Sequence, residues 1–351
     1  MRRVIITCPS FNYKGGGVAN YYKVFSLKQH YKAKLYFVGK DNISNNIFYR
    51  LFITFYQYVK FIFTISRFDT LVVNPSLTKN CILRDSIYVV IARAFQKKTV
   101  VFWRGFNDTF FEQYVRNHIY FMRFGLFRVD YTIVLGKKIY DKLHSIGCNT
   151  PYSVTTTILD KNLLRTDEKN FSDKQFTILF LARLTKAKGI IETLEAYEEL
   201  KEKHSEINLI IAGDGPDYPF VKNYIESKNL QDVELIGDVR GRKKRECYEM
   251  SDLYLFPSYF EGMPNSVLEA MGMGLPVIVS DVGGISDFFE SGKMGVLMKG
   301  HSKNEICEAF DIIYHDKRKL PLISNYNREY AANNFVDDIV VKKFENLLQN
   351  I

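Results

Sequence analysis

Residues 252–287, DLYLFPSYFEGMPNSVLEAMGMGLPVIVSDVGGISD, limit the possible folds of this chain more than any other stretch. The apolar run 253–256, stopped by Pro257 and Ser258, has the length and composition of a strand buried on both faces of a parallel sheet. A loop with Glu261, Gly262, Met263 and Pro264 follows. A helix then starts at Asn265 or Ser266 and ends in the region of Gly272 and Gly274. Pro276 closes the turn, 277–280 forms another strand, and Gly283-Gly284 turns the chain toward a further helix. The unit is strand, loop, helix, strand. Its loop falls at the carboxyl end of a strand, where open α/β sheets bind ligands.

The same alternation runs along the rest of the chain. Segments 3–7, 34–39, 69–74, 99–103 and 131–135 read as strands, with helical stretches at 18–28, 85–95 and 110–127. Segments 176–182, 208–212, 233–236, 253–256, 277–280 and 295–298 follow, with helical patterns between them, which implies parallel sheets with right-handed crossovers. At 351 residues the chain is too long for one ordinary core. The polar stretch 166–174 separates two domains, 1–168 and 169–325, and 326–351 reads as a terminal helix.

Hydrophobic residues make up 46% and charged residues 25%, a globular balance. The five cysteines are dispersed, odd in number and without a C-x-x-C pair, which suits reduced cytosolic thiols rather than disulfides or zinc. Met1-Arg2-Arg3 has the charge of a leader, but VIITC is too short for its apolar core. The aromatic stretch 43–68 is broken by Arg50, Gln57 and Lys60, so it does not span a membrane. It has two other readings, a helix packed on the sheet and an interfacial helix at lipid headgroups. The net charge of +9 is uneven: residues 1–170 hold 26 Lys and Arg against 10 Asp and Glu, and the remainder holds 22 against 29. Only the first half is expected to face an anionic partner such as a membrane surface, a lipid-linked pyrophosphate or nucleic acid. Arg116, Arg123 and Arg128 are candidates for that face, whereas His118 reads as a surface or packing residue.

Two carboxylates stand out. Ser266-x-x-Glu269 has the spacing of a capping box, in which each side chain satisfies an orphan helix N–H. Glu261 alone reads as a solvated loop acid. However, Gly262, Gly283 and Gly284 let backbone approach a ligand closely, and a helix N-terminus offers free N–H groups to an anion. Together they suit a polyhydroxylated, phosphorylated ligand. Strand ends also carry RLTKAKG at 183–189, AGDGP at 212–216, GDVR at 237–240, WRGFND at 103–108, and the loop containing Gly15, Gly16 and Gly17. The basic run 240–245 has two readings, a solvated helix face and a phosphate contact.

EGMPNSVLEAMGMGLPVIVSDVGGISD resembles the donor-binding signature of retaining glycosyltransferases of family 4 (glycosyl transferases group 1), and Glu261 and Glu269 have that family's spacing. RLTKAKG and AGDGP resemble two more of its motifs. The resemblance implies the GT-B fold, an α/β architecture of two doubly wound Rossmann-like domains facing across a cleft. The first domain would bind the acceptor and the second the nucleotide sugar, with 326–351 crossing back to the first. It further implies that Arg183 and Lys188 hold the donor diphosphate. Glu261 would contact sugar hydroxyls, supported by backbone groups of Gly262, Met263, Asn265 and Ser266, and Glu269 the ribose. Gly15, Gly16 and Gly17 would pack against the diphosphate, Gly213 and Asp214 would form a tight turn, and Val239 and Arg240 would lie near the base. Many members have His-Gly where this chain has Arg104-Gly105. Arg104 is an acceptor-side candidate that can hold a phosphate by two hydrogen bonds but cannot serve as a base near neutral pH.

The function implied is transfer of a hexosyl or N-acetylhexosaminyl group, with retention, in surface polysaccharide biosynthesis. The donor would be a UDP- or GDP-sugar and the acceptor a glycan or polyprenyl-pyrophosphate-linked glycan. No other cofactor and no metal is expected, and the site of action would be cytoplasmic, at the inner face of the cell membrane. Two alternatives from other classes are a non-catalytic sugar-nucleotide or polysaccharide binder of the same fold and a nucleic-acid-binding protein. No base-reading module supports the latter, so no nucleic-acid partner is expected.

Overall fold

Parallel strands inside a sheet are short apolar runs buried on both faces, and most of the twelve strands among the residues described are of this kind. The computed structural model describes residues 3–11, 17–30, 33–39, 47–115, 117, 119–171 and 175–351. They divide into two units, 1–158 with 337–351, and 159–336.

The first unit holds a six-stranded parallel sheet of β1 (Val4–Cys8), β2 (Lys34–Phe37), β3 (Thr70–Val73), β4 (Lys98–Phe102), β5 (Tyr131–Val134) and β6 (Tyr152–Val154), in the order β2-β1-β3-β4-β5-β6. VIITC and TLVV are buried throughout. The order reverses between β1 and β3, so the ligand crevice of a doubly wound sheet falls at their carboxyl ends. The helices are α1 (Gly17–Lys28), α2 (Ile47–Ile65), α3 (Lys79–Ala94), α4 (Asp108–Phe110), α5 (Ile119–Phe124), α6 (Lys137–Ser145) and α13 (Asp337–Asn350). Phe344 of α13 packs edge-on to Tyr21 and Phe25 of α1, at 6.0 and 5.5 Å between centroids.

The second unit holds β7 (Phe176–Leu181), β8 (Ile207–Ala212), β9 (Val233–Gly237), β10 (Leu253–Phe256), β11 (Val277–Ser280) and β12 (Gly295–Met298), all parallel, in the order β12-β11-β10-β7-β8-β9. Between and after them run α7 (Ile190–Lys203), α8 (Tyr218–Ser227), α9 (Gly241–Met250), α10 (Asn265–Gly272), α11 (Lys303–Tyr314) and α12 (Leu320–Asn334). The order reverses between β7 and β10. This places the loop after β7 and the loop after β10 side by side at the crevice.

Two helical expectations need correction. The stretch 110–127 is not one helix: α4 runs into a π turn, Phe111–Val115, and α5 is separate. Asn107 caps α4 by accepting from Phe110 N at 2.9 Å. Past α5, Gly125 lies so close to α3 that an added Cβ would stand 2.3 Å from Ser86 Cβ. The tail is likewise two helices, α12 and α13. The Phe335 carbonyl accepts from Leu159 N at 2.8 Å and Val336 bridges to Leu159, so α12 stops at Phe335 and the chain pairs at 336 before α13. Asp337 and Asp338 then favour a fresh N-terminus.

Candidate functional site at the carboxyl ends of the second sheet

The loop after β7 reaches its position through a glycine. Gly189 has φ +77°, and a Cβ there would stand 2.1 Å from the Pro257 carbonyl oxygen, so only glycine lets the turn Lys186–Lys188 lie against the β10 loop. Tyr259 N donates to Ala187 O at 3.0 Å, and the Ser258 hydroxyl lies 3.2 Å from the same oxygen. This clasp brings Lys188 to Glu261 as a salt bridge, both partly buried. Ser258 Oγ is also 3.3 Å from Glu261 Oε1. Arg183, at the start of the same loop, is exposed and has no hydrogen-bond or ion-pair partner among the described residues.

A third loop, after β8, is locked on from the other side. A Cβ on Gly213 would lie 1.8 Å from the Ala182 carbonyl oxygen. Leu184 N donates to Asp214 O at 3.0 Å, and Lys186 N to Asp217 Oδ2 at 2.7 Å. Asp214 itself is exposed and its carboxylate accepts from Gly215 N at 2.7 Å, which serves the turn. Beyond the β10 loop, Gly284 N donates to the Gly262 carbonyl at 2.9 Å, joining the β11 loop to the same cluster.

Glu269 does not form the expected capping box. The helix N-cap is Pro264, no side chain caps it, and Glu269 lies beyond the first turn, facing inward. Its residue is 7% exposed. The carboxylate accepts from Lys244 Nζ at 2.6 Å and from the buried Tyr248 hydroxyl at 2.9 Å. Burial raises the Glu269 carboxyl above its ordinary range, against the Lys244 charge and both hydrogen bonds. Two of the roughly four lone-pair positions of a carboxylate are thereby used, so acceptor capacity remains. The first N–H groups of α10, on Asn265 and Ser266, are at the end of the helix that attracts anions.

Of the other expected positions, Met263 is half-buried against the core beneath α10 and Val239 is buried in the same cluster. Arg240 is exposed and paired with Asp238 at 2.9 Å. Gly15 and Gly16 lie outside the described residues, as do Arg116 and His118; Gly17 is exposed at the first position of α1.

Lys244, Tyr248 and Ser258 are site residues that sequence reading passed over. Within the basic run, Arg242 and Arg245 pair with Glu246 and Glu249 one turn on. Lys244 has Arg240 and Tyr248 at those offsets, so its charge must find a partner outside its own helix.

In the first unit Arg104 follows β4, where its N–H donates to the Pro75 carbonyl at 3.0 Å. The residue is 8% exposed. Its guanidinium carbon stands 3.8 Å from the Tyr21 ring centroid and 4.2 Å from that of Phe102. Cation–π contact supplies about 2 kcal/mol in a desolvated setting, against a burial cost of several kcal/mol per ion. The rings alone do not balance the charge.

Known proteins resemble this chain in sequence and in fold. Residues 165–330, most of them in the second unit, match the family model Glycosyl transferases group 1. Over 231 residues the chain is 26% identical to the alpha-monoglucosyldiacylglycerol synthase of Acholeplasma laidlawii, covering 62% of this chain and 57% of that protein. It is 28% identical over 206 residues to the 2-deoxystreptamine N-acetyl-D-glucosaminyltransferase of Niallia circulans, covering 58% and 49%. The chain thus spans about half the length of the curated relatives it matches. The crystal structure of Anabaena HepE in complex with UDP superposes with a TM-score of 0.77 at 16% identity, over 99% of this chain and 100% of that one. The two doubly wound parallel sheets are those of the GT-B fold.

Proposed function

We propose that this chain is a glycosyltransferase that moves a hexosyl or N-acetylhexosaminyl group, with retention of anomeric configuration, from a nucleotide sugar to a glycan or polyprenyl-pyrophosphate-linked acceptor. The observation that carries the reading is the Lys188–Glu261 salt bridge at the β7–β10 crevice, with Arg183 exposed on the same loop, within residues that match the glycosyl transferases group 1 family model. Two cations on the loop after β7 suit a diphosphate, and a carboxylate paired with one of them suits sugar hydroxyls. Arg183 and Lys188 would neutralise the charge that develops on the departing diphosphate, the largest catalytic contribution in such a site. That role leaves no need for a divalent ion on the leaving group. Glu269, held by Lys244 and Tyr248, would accept from the ribose hydroxyls. The backbone of 262–266 would line the sugar, the turn at Gly213 and Asp214 would shape the diphosphate end, and 239–240 would lie beside the base.

The test is calorimetric titration of the full chain with UDP, GDP, ADP and CDP in metal-free buffer. Selective micromolar binding of UDP or GDP is expected, and no binding by any of the four would overturn the donor assignment.

We place the enzyme's action at the cytoplasmic face of a membrane, docked through α2. One face of this helix packs inward: Phe61 and Ile65 are fully buried, and Phe61 meets Tyr88 at 4.8 Å. The opposite face presents Phe48, Leu51, Phe52, Phe55 and Phe63 to solvent, with Phe48 79% and Phe63 74% exposed, and Lys60 and Arg67 beside them. No described helix is long and apolar enough to cross a membrane. An amphipathic helix with aromatic and basic residues lies in the headgroup plane instead. The protein is expected to cosediment with phosphatidylglycerol vesicles. Phe52→Ser with Phe55→Ser is expected to weaken that binding at least about tenfold, since each buried aromatic ring contributes roughly 1.5–3 kcal/mol. Equal sedimentation of the wild type and the double variant would remove α2 from the docking role.

A further inference from the structure

We propose that Arg104, set in the corner between the rings of Tyr21 and Phe102, is the seat of an oxyanion bound by the first unit. An arginine stays charged at any physiological pH. Buried polar and charged groups in folded proteins are paired, and exceptions call for an explanation. Here the guanidinium is nine-tenths buried and Nη1 is sealed from solvent without a hydrogen-bond acceptor. No carboxylate pairs with it among the described residues.

The surrounding groups do not supply the missing charge. Tyr21 touches the guanidinium with its ring, and its buried hydroxyl lies near enough to Arg104 to feel it but makes no aligned hydrogen bond. Burial pushes that phenol up to about 12, with the Arg104 charge pulling the other way, so it is neutral at physiological pH. Tyr22, 5.4 Å from the guanidinium carbon, is pushed up by burial too, and its hydroxyl donates to Asn74 Oδ1 at 2.6 Å. Phe102 has no ionisable group. What surrounds Arg104 is a set of neutral rings.

The geometry also suits a ligand. Ring stacking covers the faces of a guanidinium, whereas its hydrogen bonds run in its plane, so the two do not compete. The backbone that carries Arg104 is fixed at both ends: its own N–H is held by Pro75 O, and Gly105 bridges to Ser76 and accepts from Leu77 N at 2.9 Å. The position is close to the β1/β3 reversal, where Asn74 Nδ2 ties β3 to the Thr7 carbonyl at 2.8 Å. A pre-set planar fork of donors at a sheet's ligand crevice fits a phosphate or a carboxylate, each of which offers two oxygens to it. This seat is built from residues of the first unit alone, and it is tested by binding alone.

Trp103, the single tryptophan of the chain, is buried and adjacent to Arg104, so its emission reports on this place. The experiment titrates the full chain with inorganic pyrophosphate and, separately, with glucuronate, while Trp103 emission is followed. Arg183→Ala serves as the control for anions taken up by the second unit. The wild type and Arg183→Ala are expected to respond alike. Arg104→Met, which keeps an apolar stem against the rings, is expected to weaken the response at least about tenfold, the loss of a charge-assisted pair of hydrogen bonds. Its unfolding temperature without ligand is expected to be no lower than that of the wild type, because an uncompensated charge has been removed. Arg104→Lys keeps the charge but not the fork and is expected to bind more weakly with the fold intact; it decides the matter if the methionine variant fails to fold. A response to pyrophosphate alone assigns a phosphate-bearing ligand, and one to glucuronate alone a uronic acid. Coincident titrations of the wild type and the Arg104 variants, or no response at all, would overturn the proposal and leave Arg104 as a packing residue.

Discussion

Replacing Arg183 by alanine is expected to lower turnover of the nucleotide sugar by at least about a hundredfold, the usual cost of removing one donor aimed at developing charge. Thermal unfolding should be unchanged, because the side chain is exposed and without partners among the described residues. Exposed substitutions of that kind usually stay within about 0.5 kcal/mol. The measurement is release of the nucleoside diphosphate under saturating donor, beside an unfolding curve for the same preparation. Arg183→Lys separates charge from shape, and partial recovery is expected because lysine lacks the planar fork. Lys188→Ala is less clean, since it also strips Glu261 of its partner. The double variant, Arg183→Ala with Lys188→Ala, is expected to lose roughly a thousandfold or more. If Arg183→Ala changed turnover less than about tenfold, the diphosphate role would be wrong.

The second large effect concerns stability rather than turnover. Lys244→Met removes the cation from a carboxylate that is almost fully buried. Breaking a buried pair from one side costs about 3–5 kcal/mol, and here ~2–3 kcal/mol is expected because Lys244 keeps some exposure and Glu269 can take up a proton. The pH dependence follows from the direction of the shift. The folded-state Glu269 carboxyl already titrates above its ordinary value, so stability from the protonated form is complete below that value and declines as pH rises through the folded one. Without Lys244 the folded value moves further up, so the deficit should be small near pH 5 and full near pH 8. Urea unfolding at both pH values measures it. Lys244→Met combined with Glu269→Leu should regain most of the loss, since replacing both partners by apolar groups leaves no buried charge. A pH-independent deficit would show that the pair does not hold Glu269 as inferred.

The parallel strands were legible because their signal is local: VIITC, TLVV and FTILFL carry their burial in composition alone. β6 was not, as three residues at a sheet edge with partial exposure have no period to detect. The break between α12 and α13 was also invisible, because it depends on pairing with Leu159, far back in the chain. At the candidate site, Arg183, Lys188 and Glu261 were legible through the family motifs that RLTKAKG and EGMPNSVLEAMGMGLPVIVSDVGGISD resemble. Glu269 was found for a partly wrong reason. Ser266-x-x-Glu269 mimics a capping box, but the helix begins at Asn265, and this register turns the carboxylate inward to Tyr248 and Lys244. Lys244 could have been suspected from its missing i+4 acid. Nothing local marked the burial of Arg104, whose rings come from α1 and β4.

Gly189 and Gly213 press peptide groups against peptide groups, which makes one part of the crevice out of main chain. Main chain is the same whatever the codon specifies, so this part cannot be altered by point mutation except by losing the fold. The flanking side chains at 239–240 and 263 carry no such restriction. With the roles proposed above, the shape of the diphosphate end is carried by peptide groups while its charge is carried by Arg183 and Lys188. A point mutation can therefore discharge this part of the crevice without reshaping it.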